Sequence, residues 1–461
     1  MTHAHRHARS DSIAIQRPPH LANFNRSLKH DAFFLNRPIA ARWPKFRCIK
    51  KKPKSVAHTA AMTEFGLLPR RIEAQYKETA TIMKYTTAIC ACAALMSIAP
   101  TWAQAEDESA AESQSMGASS VTMYGLIDQG VEYVNNVAQG KHATTQTVRT
   151  GDGTATSYFG IHGIEDIGGG TKAIFDLQGG FQPNNGASRQ GGRLFGRQSY
   201  VGLDGPYGRL TFGRQYTMRF FATSFINPFG TGAQGLTTLD NGIANARADN
   251  SVSYRFFLGS LEGGVNYSFG RDAVAGGSAA ASNCPGETTP SNECREYSAM
   301  LKYDAHFWGV ATSYERNYGG TSATWGGLTS PKLTDSRFTL GGYFKIKDAK
   351  FGVGWIRRDD EGIATPRSNL FWVTGTVPVT PFVYVDGMVA DLKYDHSPNS
   401  ALVFVLRGEY LLSKRTFLYL TAEHIHNDGN LALAATTITP VPTPPVGGSQ
   451  ISVIAGIRHT F

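Results

Sequence analysis

The chain has 461 residues, 45 Lys and Arg against 36 Asp and Glu, and a formal net charge of +9. The excess is local: 17 of the bases and 5 of the acids lie in residues 1–105, which leaves 28 bases and 31 acids for residues 106–461. The long part of the chain therefore carries no basic excess for nucleic acid, and the absence of any run of 18 apolar residues excludes a helical membrane protein.

Residues 1–82 contain His3, His5 and His7, the basic run Lys50-Lys51-Lys52-Pro53-Lys54, and no periodicity. A metal- or nucleic-acid-binding tail is one reading. The preferred one places the true start at Met83, because an 82-residue basic preface would otherwise precede a secretion signal. From Met83, Lys84 gives a positive start and Ala88–Ala99 an apolar stretch too short to span a bilayer. Pro100 ends it, and Ala103-Gln104-Ala105 supplies small residues for cleavage after Ala105, so residues 83–105 are predicted to be a signal peptide. Residues 106–120 read as a short polar segment.

From residue 121 the dominant period is two, which marks strands with one apolar and one polar face. Phe338, Leu340, Phe344 and Ile346 alternate with Arg337, Thr339, Tyr343 and Lys345. Sixteen segments of this kind are predicted, at 121–134, 156–166, 170–181, 193–204, 207–215, 251–258, 260–270 and 295–304, then 307–318, 335–347, 349–359, 367–378, 381–394, 400–412, 415–426 and 449–461. Their connections alternate long and short, beginning with 135–155 long and 167–169 short. That pattern describes an all-β, 16-stranded, antiparallel up-and-down barrel of the outer-membrane type, with short turns on one side and long loops on the other. A soluble β-sandwich shows similar alternation but not this rhythm of loop lengths. Closure is also what satisfies every backbone group in lipid.

Several stretches resemble the Gly-rich trimeric general porins of Gram-negative outer membranes. They are SSVTMYGLIDQGVEYVNN (119–136), GIHGIEDIGGGTKAIFDLQGGF (160–181), GGRLFGRQSYVGLDGPYGRLTFGRQYT (191–217), NPFGTG (227–232) and the terminal GIRHTF. The resemblance implies a homotrimer in outer-membrane lipid and lipopolysaccharide that passes small hydrophilic solutes, without a cofactor or nucleic-acid partner. The alternating final strand, ending on Phe461, resembles the signal read by the barrel-assembly machinery.

In such porins the third long loop folds inward and narrows the pore against a ladder of basic wall residues. Here that loop is 216–250, with Pro228, Phe229 and Gly230 in its NPFG turn. Motif matching puts Arg197 and Arg247 in the ladder, with Arg214 a further candidate, although the alternation of Phe195, Val201 and Leu203 would not itself turn Arg197 inward. Where the family commonly reads SRWGLRG, this chain has Tyr158 and His162 at the basic positions. Residues 216–239 contain no acid, and Arg219 is their one charge. A weak acidic side favours anions and missing wall bases favour cations; the balance expected is mild anion preference.

A few other groupings could carry chemistry. Cys284 and Cys294 share a loop of an exported chain and are expected to form a disulfide. His424 and His426 could pair on a metal, but their strand face reads as lipid-facing, so interfacial residues are expected. Asp128 and Glu132 share the face of Tyr124 and are expected to line the lumen rather than act as an acid–base pair. Gly168-Gly169-Gly170 is a turn with no helix after it to cradle phosphate. A barrel enzyme, a protease or phospholipase, is the alternative, and no catalytic constellation announces it.

Overall fold

The computed structural model describes residues 119–461 apart from 141–142, 273–283, 285–292 and 322–326. The expected basic extension (1–82) and expected signal peptide (83–105), with residues 106–118, lie outside the described residues.

Seventeen strands follow one another: β1 (Ser120–Gln139), β2 (Ala143–Gly151), β3 (Tyr158–Gly168), β4 (Thr171–Gly180), β5 (Gln198–Gly205) and β6 (Gly208–Tyr216). Next come β7 (Arg247–Leu258), β8 (Leu261–Ser268), β9 (Glu296–Asp304), β10 (Trp308–Tyr318), β11 (Thr334–Ile346) and β12 (Ala349–Asp360). The last five are β13 (Arg367–Thr380), β14 (Val383–Tyr394), β15 (Ser400–Ser413), β16 (Thr416–Asp428) and β17 (Ser449–Thr460). Each strand from β3 onward pairs antiparallel with the next, and β17 returns to β1 from Thr460↔Leu126 to Ser452↔Val134. The other edge of β1 is shared, by β3 along Ser120–Leu126 and by β2 along Gly130–Gln139. Seventeen segments thus fill sixteen positions of a closed barrel. The expected loop 135–155 is corrected: most of it is a hairpin, because β1 continues to Gln139 and folds back through β2.

Closure rests on a small residue. Phe461 and Gly125 exchange backbone hydrogen bonds of 3.0 and 3.1 Å, and a Cβ on Gly125 would come within 2.4 Å of the Phe461 ring. Outward positions are apolar, as on β1, where Val121, Met123, Ile127 and Val131 are exposed. Aromatic rings form two belts: Tyr207, Tyr303, Phe307, Trp308, Phe344 and Phe382 near the short turns, and Tyr267, Phe269, Phe338, Phe371 and Phe404 toward the long loops. His424 and His426 also project outward at that second level, with His426 bonded to Ser449 Oγ at 2.7 Å. Among the described residues no group of three metal-ligating side chains occurs.

The loop between β6 and β7 turns into the barrel. It forms a seven-residue helix, α1 (Met218–Ser224), and then helical turns at Leu236–Leu239 and Asn241–Ala244. Ile226, Phe229, Leu236, Leu239 and Ile243 of this loop pack in one cluster with Ile356, Leu370, Trp372, Met388, Val403, Val405 and Ile425, from the inner wall of β12–β16. Burying five such loop side chains is worth roughly 10 kcal/mol. Those strands are apolar on both faces for this reason: one face meets lipid, the other a folded loop. Two further segments join it, since Ala233 N–H donates to Gly153 O at 2.8 Å and Thr437 N–H to Ala233 O at 2.8 Å.

Candidate functional site

The lumen is narrowed by this loop on one side and walled by β3–β7 on the other. Arg197 enters from the turn before β5, where the two-residue alternation has not begun, so its parity with Val201 and Leu203 does not govern it. Its Nε donates to Gln178 Oε1 at 2.6 Å, its Nη2 to the Tyr216 hydroxyl at 2.9 Å, and its guanidinium lies 4.3 Å from the centre of the Tyr158 ring. Arg247, the first residue of β7, donates Nη2–H to the same Tyr216 hydroxyl at 2.7 Å. The Tyr216 ring in turn stacks on Phe220 of α1, centroids 3.6 Å apart. One tyrosine therefore ties two wall arginines to the inward loop.

Arg214 sits above a bulge in β6, its Nε donating to Gly196 O at 2.7 Å and its Nη1 to Asp249 at 2.5 Å. Asp249 also pairs with Arg193 at 3.1 Å, and Arg193 reaches on to Asp272. Asp272 is held by the disulfide loop: Cys284 and Cys294 are bonded and buried, and Cys284 N–H donates to Asp272 O at 3.1 Å.

On the loop side, Arg219 does not line open space. It is buried, donating from Nε to Glu315 at 2.9 Å and from Nη2 to Gly242 O at 2.6 Å. Pro228 O accepts from Arg407 Nη2 at 3.0 Å, and the Arg407 guanidinium lies 4.7 Å from the Phe229 ring centre. Gly230 closes the turn with a φ of +53°, where a side chain would be strained. The turn that follows is anchored by Glu423, which accepts from Gly235 N–H at 2.5 Å and Thr238 Oγ1–H at 2.8 Å.

Asp128 and Glu132 face inward, but both are covered completely rather than lining open lumen. Asp128 takes the backbone N–H groups of Gly153, Thr154 and Ala155 at 2.8–3.0 Å and the Tyr419 hydroxyl at 2.5 Å. Glu132 pairs with Arg149 at 2.6 Å and accepts from Ser452 Oγ at 2.8 Å. They pin the folded loops to the wall. Beside them Asp152 pairs with Arg189 at 2.8 Å. Burial pushes the Asp152 carboxyl up to about 6, against the pull of Arg189.

The expectation that acids are scarce opposite the bases needs correction. The loop supplies Asp240, just past the acid-free stretch, and it binds Arg337 at 2.8 and 3.1 Å. Burial alone would raise the Asp240 carboxyl, but Arg337, with Arg358 and Arg219 beyond it, holds it well below the usual carboxylate range. Arg337 also binds Asp335 at 2.7 Å, and Arg358 joins Asp335 and Asp360 at 3.0 and 2.6 Å. Inward parity on β11 and β12 is the signal for Arg337 and Arg358; nothing in the sequence pairs either with Asp240, 97 residues from Arg337.

A closed barrel with an apolar outer band, two aromatic belts and a charged lumen crossed by an inward loop is an outer-membrane channel. The chain belongs to the Gram-negative porin family, whose profile matches residues 91–430. It is similar to an outer membrane porin protein of Bordetella pertussis, 29% identical over 385 residues that cover 74% of this chain and 94% of the relative. It is likewise similar to outer membrane porin protein 32 of Delftia acidovorans, 29% identical over 380 residues, 76% of this chain and 97% of the relative. Among solved structures, an anion-selective porin from Comamonas acidovorans superposes with a TM-score of 0.59 at 23% identity, covering 75% of this chain and all of that one. The protein is thus an outer-membrane porin, a channel rather than a barrel enzyme.

Proposed function

We propose that the channel works as a homotrimer with a mild preference for anions. One observation carries the preference: Tyr216 gathers Arg197 and Arg247 at 2.9 and 2.7 Å, both buried just behind the lumen wall, with the less deeply buried Arg214 beside them. Fixed positive charge at a narrow point raises the local concentration of anions and lowers that of cations. Across the lumen Glu315, Asp335 and Asp240 are matched with arginines, so the preference stays mild. The related barrel from Comamonas acidovorans is anion-selective, which favours the same sign here. Permeation is electrodiffusion, with no chemical step and no cofactor.

The trimer is supported by the existence of a trimeric form among barrels of similar fold, one from Vibrio cholerae. The surrounding partners are outer-membrane lipid and lipopolysaccharide against the apolar band, and the barrel-assembly machinery at the strand that ends on Phe461. A planar bilayer tests both claims. Conductance should rise in groups of three equal steps, and the reversal potential in a salt gradient should have the sign of anion preference; clear cation selectivity would sink the second claim.

A further inference from the structure

At the short-turn end of the lumen, away from Arg197 and Arg247, three lysines surround two touching aromatic rings. Phe225, just past α1, and Tyr343 of β11 meet edge to face with centroids 5.0 Å apart. Gly309 lies beneath them, and a Cβ there would come within 2.5 Å of Phe225 and 2.8 Å of Tyr343. The ammonium of Lys350 lies 4.4 Å from the Tyr343 ring centre and donates to Phe225 O at 3.2 Å, and that of Lys345 lies 5.8 Å from the same ring centre. Lys302 reaches Phe225 at 5.3 Å.

Lys345 and Lys350 are directly opposite each other on β11 and β12 and face the lumen. Like charges in that relation destabilise a sheet. Cation–π contact with the rings offsets part of this. A local arrangement that costs stability marks a functional position.

The facing acids do not cancel the cluster. Glu262 lies between Arg255, at 2.6 Å, and Lys302. Asp304 accepts the Tyr343 hydroxyl at 2.5 Å, and Asp348 is exposed in the turn joining β11 to β12. Glu262 is thus shared by Arg255 and Lys302, while Lys345 and Lys350 lie against the Tyr343 ring. Compact, strongly hydrated ammonium groups on flexible stems suit a small multivalent oxyanion as point charges, without a fixed bidentate geometry.

We propose that Lys302, Lys345 and Lys350, set around Phe225 and Tyr343, form a second anion site at the short-turn mouth that holds compact solutes carrying two or more negative charges. The inference rests on the chain being a diffusion channel, not on its overall ion preference. The probe is inorganic pyrophosphate, added to each side of a bilayer holding the full channel in potassium chloride. The wild type should show voltage-dependent block from one side only. In the double variant Lys345→Gln/Lys350→Gln, half-block from that side should need about ten-fold more pyrophosphate, equivalent to roughly 1.4 kcal/mol of lost binding. Removing two like charges should leave heat stability unchanged or raised, whereas lowered stability with unchanged block would assign the lysines a structural role and overturn the site. The pair Arg197→Gln/Arg247→Gln separates the two readings: it should move the reversal potential and keep the one-sided block. Equal block from both sides, or block unaltered by the lysine variant, would overturn the proposal. A wild type that forms no channel would overturn it together with the function it rests on.

Discussion

Arg247 lies over the ring of Tyr216, 4.4 Å from its centre, and binds the hydroxyl of that ring at 2.7 Å. The same hydroxyl accepts from Arg197, so one oxygen fixes two buried guanidinium groups behind the lumen wall. Tyr216→Phe keeps the ring and its stack on Phe220 while removing the acceptor. Two hydrogen bonds from charged donors are lost, each worth about 1.5–3 kcal/mol where buried. Anion preference, read from the reversal potential, should fall by roughly half as the guanidiniums lose their fixed positions, and heat stability should fall with it. An unchanged reversal potential would show that the arginines are held without the tyrosine.

Glu423 holds the inward loop through Gly235 and Thr238, and these bonds, rather than an ion pair, are its anchorage among the described residues. Glu423→Ala leaves the two donors without their acceptor, at about 1–3 kcal/mol each. The expected result is a noisier channel with frequent brief conductance changes. Glu423→Gln keeps one carbonyl oxygen and should lie between that variant and the wild type. Single-channel recordings at fixed voltage decide it, and a quiet Ala variant would count against the anchor.

Asp152 gives the channel a pH dependence whose sign can be worked out. Burial raises its carboxyl from 3.8 to about 6, so the folded protein holds this proton more tightly than the unfolded chain does. The group's contribution to stability is therefore full below 3.8 and is lost as pH rises through about 6. Between pH 7 and 5, on the order of one negative charge disappears beside Arg189, and the lumen becomes more positive. Anion preference should increase over that interval, and Asp152→Asn should remove the pH step. Reversal potentials measured across the interval check it; a step of equal size in the Asn variant would refute the assignment.

Trp372 is buried in the seam between loop and wall, with its ring against Gly354. Trp372→Ala should cost about 3–5 kcal/mol by leaving a cavity. The loss should appear both as a lower unfolding temperature and as a larger mean conductance, because the loop loses part of its seat. Preserved conductance with lowered stability would mean that the cluster supports the barrel alone.

The barrel is legible in the sequence because strand period and loop-length rhythm are local signals. Each of the sixteen expected segments overlaps a strand. β5 starts later than expected because the residues before Gln198 form a turn, and β7 starts earlier, at Arg247, because its polar RADN start shows no apolar alternation. The hairpin through β2 escapes such a reading, since its small polar residues, ATTQTVRTG, carry no apolar face to give it away. Charge at the narrow point is harder to read. Parity assigns Asp128 inward, yet not that Gly153, Thr154 and Ala155 cover it. Arg197 lies outside the alternation altogether, and only its motif points inward. Partners such as Arg337 and Asp240 meet through the inward loop, a contact that no local pattern records.

The seam that seats the loop also joins distant parts of the chain. Ile226, Phe229 and Leu236 belong to the middle of the chain, but the surface they need is built by β12–β16, and Gln234 reaches Ser452 on β17. A barrel still lacking its C-terminal strands has no floor on which that loop can settle. The narrow passage is therefore a property of the complete wall: the middle of the chain is held in place by its C-terminal third.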